Sequence, residues 1–220
     1  MDRDFWLQKW QIKQIGFHRS QPHSRLLQFV DRLELSQGDT IFVPLCGKSI
    51  DIHWLLAQGY KVVGVELSEI AVTELFEELG LEPEITSHGQ LKVYQSGELK
   101  VYQGDFFELQ QSDLTEVKAV YDRAALVALP PEMRVQYAQH MRQIIPQATQ
   151  LIITFDYDVA MLAGPPFCVP AEEVEGLYSQ QYQVELLLDA SLQGGLKGKV
   201  PAREVVWLVK SPRRGEASSL

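Results

Sequence analysis

Three strand-like apolar runs in this sequence each deliver a residue able to hold a polar ligand. Val62, Val63 and Val65 lead to Glu66; Leu99 and Val101 lead through Gly104 to Asp105; the run 117–122 ends on Asp122 and is followed by Arg123. A carboxylate closing the second strand of an open α/β unit accepts hydrogen bonds from ribose hydroxyls. An acid after a further strand can accept from an adenine amino group, with the neighbouring Phe106 against the ring. Arg123 offers a planar fork that fits a carboxylate. Each residue also has a plain structural alternative. Glu66 could be a strand-end residue or a helix cap, Asp105 a turn cap, and Arg123 the ion-pair partner of Asp122 or another acid.

The turn after the first strand narrows the ligand. It runs Pro44, Leu45, Cys46, Gly47, Lys48 and Ser49, with one glycine. A dinucleotide fingerprint needs three glycines to cradle a pyrophosphate, and a phosphate loop ending in Gly-Lys-Ser would need glycine where Phe42 stands. The expected ligand is therefore a nucleoside without phosphates, with S-adenosylmethionine the foremost candidate. Cys46 has no base near it in sequence, and a small buried role suits it better than that of a nucleophile.

The elements that must position these residues follow from periodicity. The stretch 24–33 has Leu26, Leu27, Val30 and Leu33 at helical spacing. Strands are expected at 40–45, 61–67, 91–95, 99–103, 117–122, 151–156, 184–188 and 204–209. Helices are expected at 49–58, closed by Gly59, from Ser68 to Gly80, from Pro130–Pro131 to about 145, and near 171–178. Ser96 and Gly97 fit a two-residue hairpin turn. Strands alternating with helices, then a terminal antiparallel pair, predict a mostly parallel sheet covered on both faces. At the N-terminus, Trp6 and Trp10 are four apart and share a helix face. That helix is either packed on the core or a lid hinged near Gly16.

With 220 residues, 45% of them hydrophobic, the chain can bury one large core. The expected layout is a single domain over 1–210 with a disordered tail at 211–220. A net charge of −9 argues against a nucleic-acid surface. Two cysteines and five histidines without ligand spacing argue against a metal site or a disulfide framework. Neither a signal peptide nor a membrane span is expected, which makes the cytoplasm the default location and a monomer the default assembly.

On WLQKW at 6–10, GFH at 16–18, PLCGK at 44–48, VVGVELS at 62–68, DRAALVA at 122–128 and GPPF at 164–167, the chain resembles the thiopurine S-methyltransferase family. The likeness runs from about residue 6 to residue 208, and length and acidity are closer to bacterial members. It implies a Rossmann-like class I methyltransferase fold: seven strands, parallel except for one strand of the terminal pair. It implies S-adenosylmethionine as methyl donor and a thiopurine, another aromatic or heterocyclic thiol, or a selenium or tellurium compound as acceptor. By motif match, Trp10 and Leu45 line the cofactor pocket, Glu66 binds the ribose, and Asp105 and Phe106 lie by the adenine. Arg123 is placed by the methionine carboxylate or the acceptor, and Phe17 by the acceptor. No catalytic base is implied. A nucleoside-binding domain without turnover is the alternative, and a nicotinamide oxidoreductase is disfavoured by the missing glycines.

Overall fold

The computed structural model describes residues 3–16 and 19–211. Two compact units divide the chain, Met1–Tyr121 and Asp122–Leu220.

The first unit is built on parallel strands. β1 (Thr40–Val43) pairs in parallel with β2 (Lys61–Glu66) and with β6 (Val117–Arg123), and β2 pairs in parallel with β5 (Leu99–Gln103). All four residues of β1 are buried, as a strand sandwiched between neighbours must be. β4 (Leu91–Ser96) runs antiparallel to β5 across a two-residue turn of Gly97 and Glu98, one position beyond the Ser96–Gly97 expected, because Ser96 pairs with Leu99 and Gly97 takes the φ of 53°. β3 (Glu84–His88) adds a further antiparallel strand to β4. The order here is β3-β4-β5-β2-β1-β6.

Local signals set the helices. α1 spans Arg3–Gln11 and lies against α4 (Glu69–Leu79). The Ser49 hydroxyl caps α3 (Ile50–Ala57), and Gly59 follows at φ 85°. Ser68 caps α4 by accepting from Ala71 N–H, and Gly80 ends it at φ 65°. The expected helix over 24–33 is shorter: α2 covers Ser24–Phe29 and tightens into a 3-10 turn over Val30–Leu33. Beneath these elements Asp51 is fully buried, accepting from His23 N–H at 2.7 Å and from the Tyr121 hydroxyl at 3.0 Å.

The second unit contains α5 (Pro131–Ile144), β7 (Thr149–Tyr157), α6 (Ala171–Tyr178), β8 (Gln183–Ser191) and β9 (Ala202–Lys210). β9 is antiparallel to both β7 and β8, giving the order β7-β9-β8 and the expected terminal antiparallel pair. Trp207 donates its indole N–H to Thr154 Oγ1 at 3.0 Å across that pairing.

The strand count corrects the seven expected. Nine strands are present among the described residues. β3 is the one with no sequence signal: all five residues are exposed, so it lacks the apolar alternation that marks a half-buried strand. No helix among the described residues is long and apolar enough to cross a membrane.

Candidate functional site

The carboxyl ends of β1, β2 and β5 gather polar groups around one carboxylate. Glu66, the last residue of β2, is 7% exposed. Its Oε2 accepts from Gly47 N–H at 2.9 Å, and its Oε1 from Ser68 N–H at 2.8 Å. The side chain therefore ties the β1–α3 turn to the start of α4. Burial pushes the Glu66 carboxyl up, and the backbone N–H bonds of Ser68, Gly47 and Leu67 pull it back toward ionisation. A carboxylate has about four acceptor positions, so capacity remains for a further donor such as a ribose hydroxyl.

The turn is shaped to bring backbone close to that group. Leu45 sits at φ 46° and Gly47 at φ 52°, both in the left-handed region. Cys46 N–H donates to Val65 O at 3.0 Å, holding the turn against β2. Opposite it lies Gly64, where an added Cβ would stand 2.8 Å from Cys46 Sγ. The buried thiol fills that space and is pushed well up by desolvation and by Glu66, which favours a packing role for Cys46. Lys48 points to α4, pairing with Glu74 and Glu78 at 2.7 Å each, which is not the posture of a phosphate-loop lysine.

The β2–β5 ladder places the next acid beside Glu66. Glu66 pairs with Gln103, and Gly104 N–H donates to Glu66 O at 2.9 Å. Gly104 has φ 143°, and a Cβ there would meet Leu91 Cδ2 at 2.5 Å, so only glycine lets the chain turn here. Asp105 follows, exposed, and Oδ1 accepts from Phe107 N–H at 3.0 Å to cap a 3-10 turn over Phe106–Glu108. Phe106 is 7% exposed and meets Phe107 edge-on at 5.3 Å. Gln103, which the sequence did not single out, donates from Nε2 to Leu67 O at 2.8 Å and steadies the loop after Glu66. A polar side chain at the last position of a strand was its only signal.

The structure thus brings Leu45, Glu66, Asp105 and Phe106 to one edge of the first unit. Trp10 of α1 is buried, 3% exposed. Phe17 lies outside the described residues.

Arg123 is half-buried at the end of β6 and belongs to the second unit. The Asp122 side chain is engaged elsewhere: Oδ1 accepts from Leu126 N–H at 3.0 Å and Oδ2 from the Tyr137 hydroxyl at 2.7 Å. Burial raises Asp122 to about 6 against those bonds. With Ala124 at φ 65°, the carboxylate folds the chain sharply just past Arg123.

The GPPF loop of the same unit is held by residues that sequence did not reveal. Phe167 N–H donates to Val127 O at 2.7 Å, Tyr157 OH to Pro166 O at 2.7 Å, and Lys197 Nζ to Pro165 O at 2.8 Å. Arg134, 1% exposed, lies 5.8 Å from the Phe167 ring centre, donates to Leu129 O and pairs with Glu173 of α6. Among the described residues no group of three or more His, Cys, Asp and Glu side chains is arranged to hold a metal ion.

The family model described as thiopurine S-methyltransferase matches residues 1–208. A thiopurine S-methyltransferase of Xanthobacter autotrophicus is 48% identical over 211 residues, covering 96% of this chain and 99% of that protein. One of Pseudomonas aeruginosa is 46% identical over 209 residues, covering 94% and 95%. Among solved structures, an S-adenosylmethionine-dependent methyltransferase of Anabaena variabilis superposes with a TM-score of 0.63 at 15% identity, over 96% of this chain and 95% of that one. The 1,6-didemethyltoxoflavin N1-methyltransferase of Burkholderia thailandensis, solved with S-adenosylhomocysteine, gives 0.62 at 14%, over 95% and 86%. At these identities the structural likeness establishes the class I methyltransferase fold.

Proposed function

The chain belongs to the thiopurine S-methyltransferase family and is a methyltransferase, and on that premise we propose that it moves the methyl group of S-adenosylmethionine onto a thiol sulfur. The observation that carries this reading is Glu66, closing β2 with acceptor capacity to spare beside a turn built without a pyrophosphate cradle. The ribose hydroxyls would donate to the capacity that remains. Asp105 would accept from the adenine amino group through the oxygen not used to cap its turn, with Phe106 against the ring. Trp10 and Leu45 would line the same pocket. The Arg123 fork would take the methionine carboxylate or an anionic acceptor, and Phe17 would touch the acceptor.

The bound donor supplies an electrophilic methyl on a positively charged sulfur. The acceptor reacts as a thiolate after its proton has gone to water: a new sulfur–carbon bond forms as the old one breaks, and the bonding pair returns to the departing sulfur. What this chain must do is align the partners and keep water out. Aromatic faces beside the sulfonium would add about 0.5–2 kcal/mol of cation–π attraction. Reduced selenium and tellurium species are softer nucleophiles of the same kind and belong to the same acceptor class.

The test pairs calorimetry with a product assay. S-adenosylmethionine should bind and NADH should not, and adding an aromatic thiol should yield S-adenosylhomocysteine and the methyl thioether. Binding without product over a panel of thiols, selenols and hydrogen selenide would leave a nucleoside-binding domain instead.

A further inference from the structure

Gln103 closes β5 as Glu66 closes β2, and the two are register partners across the parallel ladder. Gly104 N–H donates to Glu66 O at 2.9 Å, which carries the pairing one residue past the strands and fixes where the Gln103 side chain starts. That side chain is half-buried and reaches across the end of the sheet, where Nε2 donates to Leu67 O at 2.8 Å.

Leu67 O belongs to the same peptide unit as Ser68 N–H. A trans peptide is planar, with its oxygen and its hydrogen directed to opposite sides. Here the oxygen ends on Gln103 and the hydrogen on Glu66 Oε1 at 2.8 Å. One rigid plate is therefore held between two residues that are themselves neighbours in the sheet. The ring of contacts closes: Glu66 carboxylate, Leu67–Ser68 peptide, Gln103 amide, and the β5–β2 ladder back to Glu66. Turning the plate over would break both bonds and swing its oxygen toward the carboxylate, acceptor against acceptor.

The plate matters because it belongs to the bend that supplies most of the hold on the carboxylate. Three backbone N–H groups draw Glu66 toward ionisation, those of Ser68, Gly47 and Leu67, and two of the three come from the bend at 67–68. Gly47 holds the other oxygen from the far side at 2.9 Å. Ser68 is buried and caps α4, so the chain passes from the end of β2 to a fixed helix start within two residues. Gln103 is the side chain from outside that bend that sets its peptide plane.

We infer that Gln103 is a positioning residue for the methyl donor: by holding the Leu67–Ser68 peptide it aims the Glu66 carboxylate at the ribose hydroxyls, without touching the donor itself. Resting as it does on Glu66 being the ribose residue, this role has a selective signature. A general support for the loop would affect every ligand of the pocket alike. A residue that acts through Glu66 affects only ligands carrying the hydroxyls that Glu66 receives.

The experiment compares the full chain with Gln103→Met, which keeps the length of the side chain and removes the amide. Calorimetry measures S-adenosylhomocysteine and its 2′,3′-dideoxyribose analogue, and NMR follows amide exchange in the ligand-free protein. Gln103→Met should weaken S-adenosylhomocysteine about three- to tenfold, the effect of one hydrogen bond, and change the analogue by less than about twofold. At saturating donor kcat should match the parent, with the loss confined to the KM for S-adenosylmethionine. Without ligand the Ser68 amide should exchange faster, while that of Val63 inside β2 should not. Gln103→Glu keeps the length, offers only acceptors and should repeat the pattern. Equal losses for the two ligands, or S-adenosylhomocysteine affinity unchanged in both variants, overturns the inference, as does an unchanged Ser68 amide. A fall in kcat at saturating donor would place Gln103 in methyl transfer itself and overturn it too. A parent protein that binds the two ligands equally would instead overturn the assignment of Glu66 to the ribose, and the positioning role would fall with it.

Discussion

Two backbone N–H groups, those of Gly47 and Ser68, end on the two oxygens of Glu66, so the residue assigned to the ribose also builds the loops around it. Glu66→Ala should therefore act twice. Losing charge-assisted bonds worth roughly 1.5–3 kcal/mol each should weaken S-adenosylmethionine by at least about tenfold, and two orphaned N–H groups should lower the unfolding midpoint of the donor-free protein. Calorimetry and a urea titration separate the effects. Full affinity in a folded variant would remove Glu66 from the ribose site. Asp122 is the second informative carboxylate. Its folded value is raised from 3.8 to about 6 by burial, so between those values the folded state binds more protons than the unfolded one. Stability contributed at this site falls as pH rises through that window, by about 3 kcal/mol at 1.36 kcal/mol per pKa unit. Asparagine cannot titrate, so wild type should lose stability relative to Asp122→Asn between pH 4 and pH 7. Parallel urea midpoints at the two pH values would sink this account of Asp122.

At the scale of elements, legibility followed burial. β1 and β2 are visible in sequence because nearly every residue is apolar, and the caps Ser49 and Ser68 mark where their helices begin. Glu66 and Asp105 were legible for the same reason, each standing where an apolar strand stops. β3 was invisible because an exposed edge strand needs no apolar pattern. Arg134 was hidden by helix register: it is buried in α5 while its neighbour Val135 is 47% exposed, the reverse of what residue type suggests. Contacts such as Lys197 to Pro165 O join residues distant in sequence, and no local pattern encodes them. Arg134→Met should free the Phe167 loop and leave Glu173, itself partly exposed, without its partner. We expect a loss of about 1–3 kcal/mol, with faster amide exchange at 164–167. An unchanged exchange pattern there would mean that the loop holds itself. α1 poses the other question at this scale. Trp10 is buried and α1 lies on α4, the packing expected of a fixed helix or of a closed lid. Donor binding should slow amide exchange across α1 and shift tryptophan fluorescence; identical protection with and without donor would make α1 a fixed part of the core.

At the scale of the whole molecule the question is whether methyl transfer calls on a protein base at all. Several titratable groups are engaged in structure. His23 caps α2 and His88 pairs with Asp113 at 2.8 Å. Cys46 is buried with its thiol pushed up, and Asp122 is enclosed by Leu126 and Tyr137. An alcohol would need a protein group to take its proton, whereas a thiol ionises near pH 8.5 unaided, and earlier when it sits on an electron-poor ring. The net charge of −9 supplies no general field to draw anions in, so recognition of a thiolate must be local, and Arg123 is the cation proposed for it. Two consequences can be measured together. Aromatic or heterocyclic thiols should be methylated well ahead of alcohols of matched shape. The rate should rise with pH along the ionisation of the thiol itself, so two thiols of different acidity should give two different midpoints. A midpoint that stays fixed when the thiol is changed would show that a protein group takes the proton, and the unaided-thiolate mechanism would have to be abandoned.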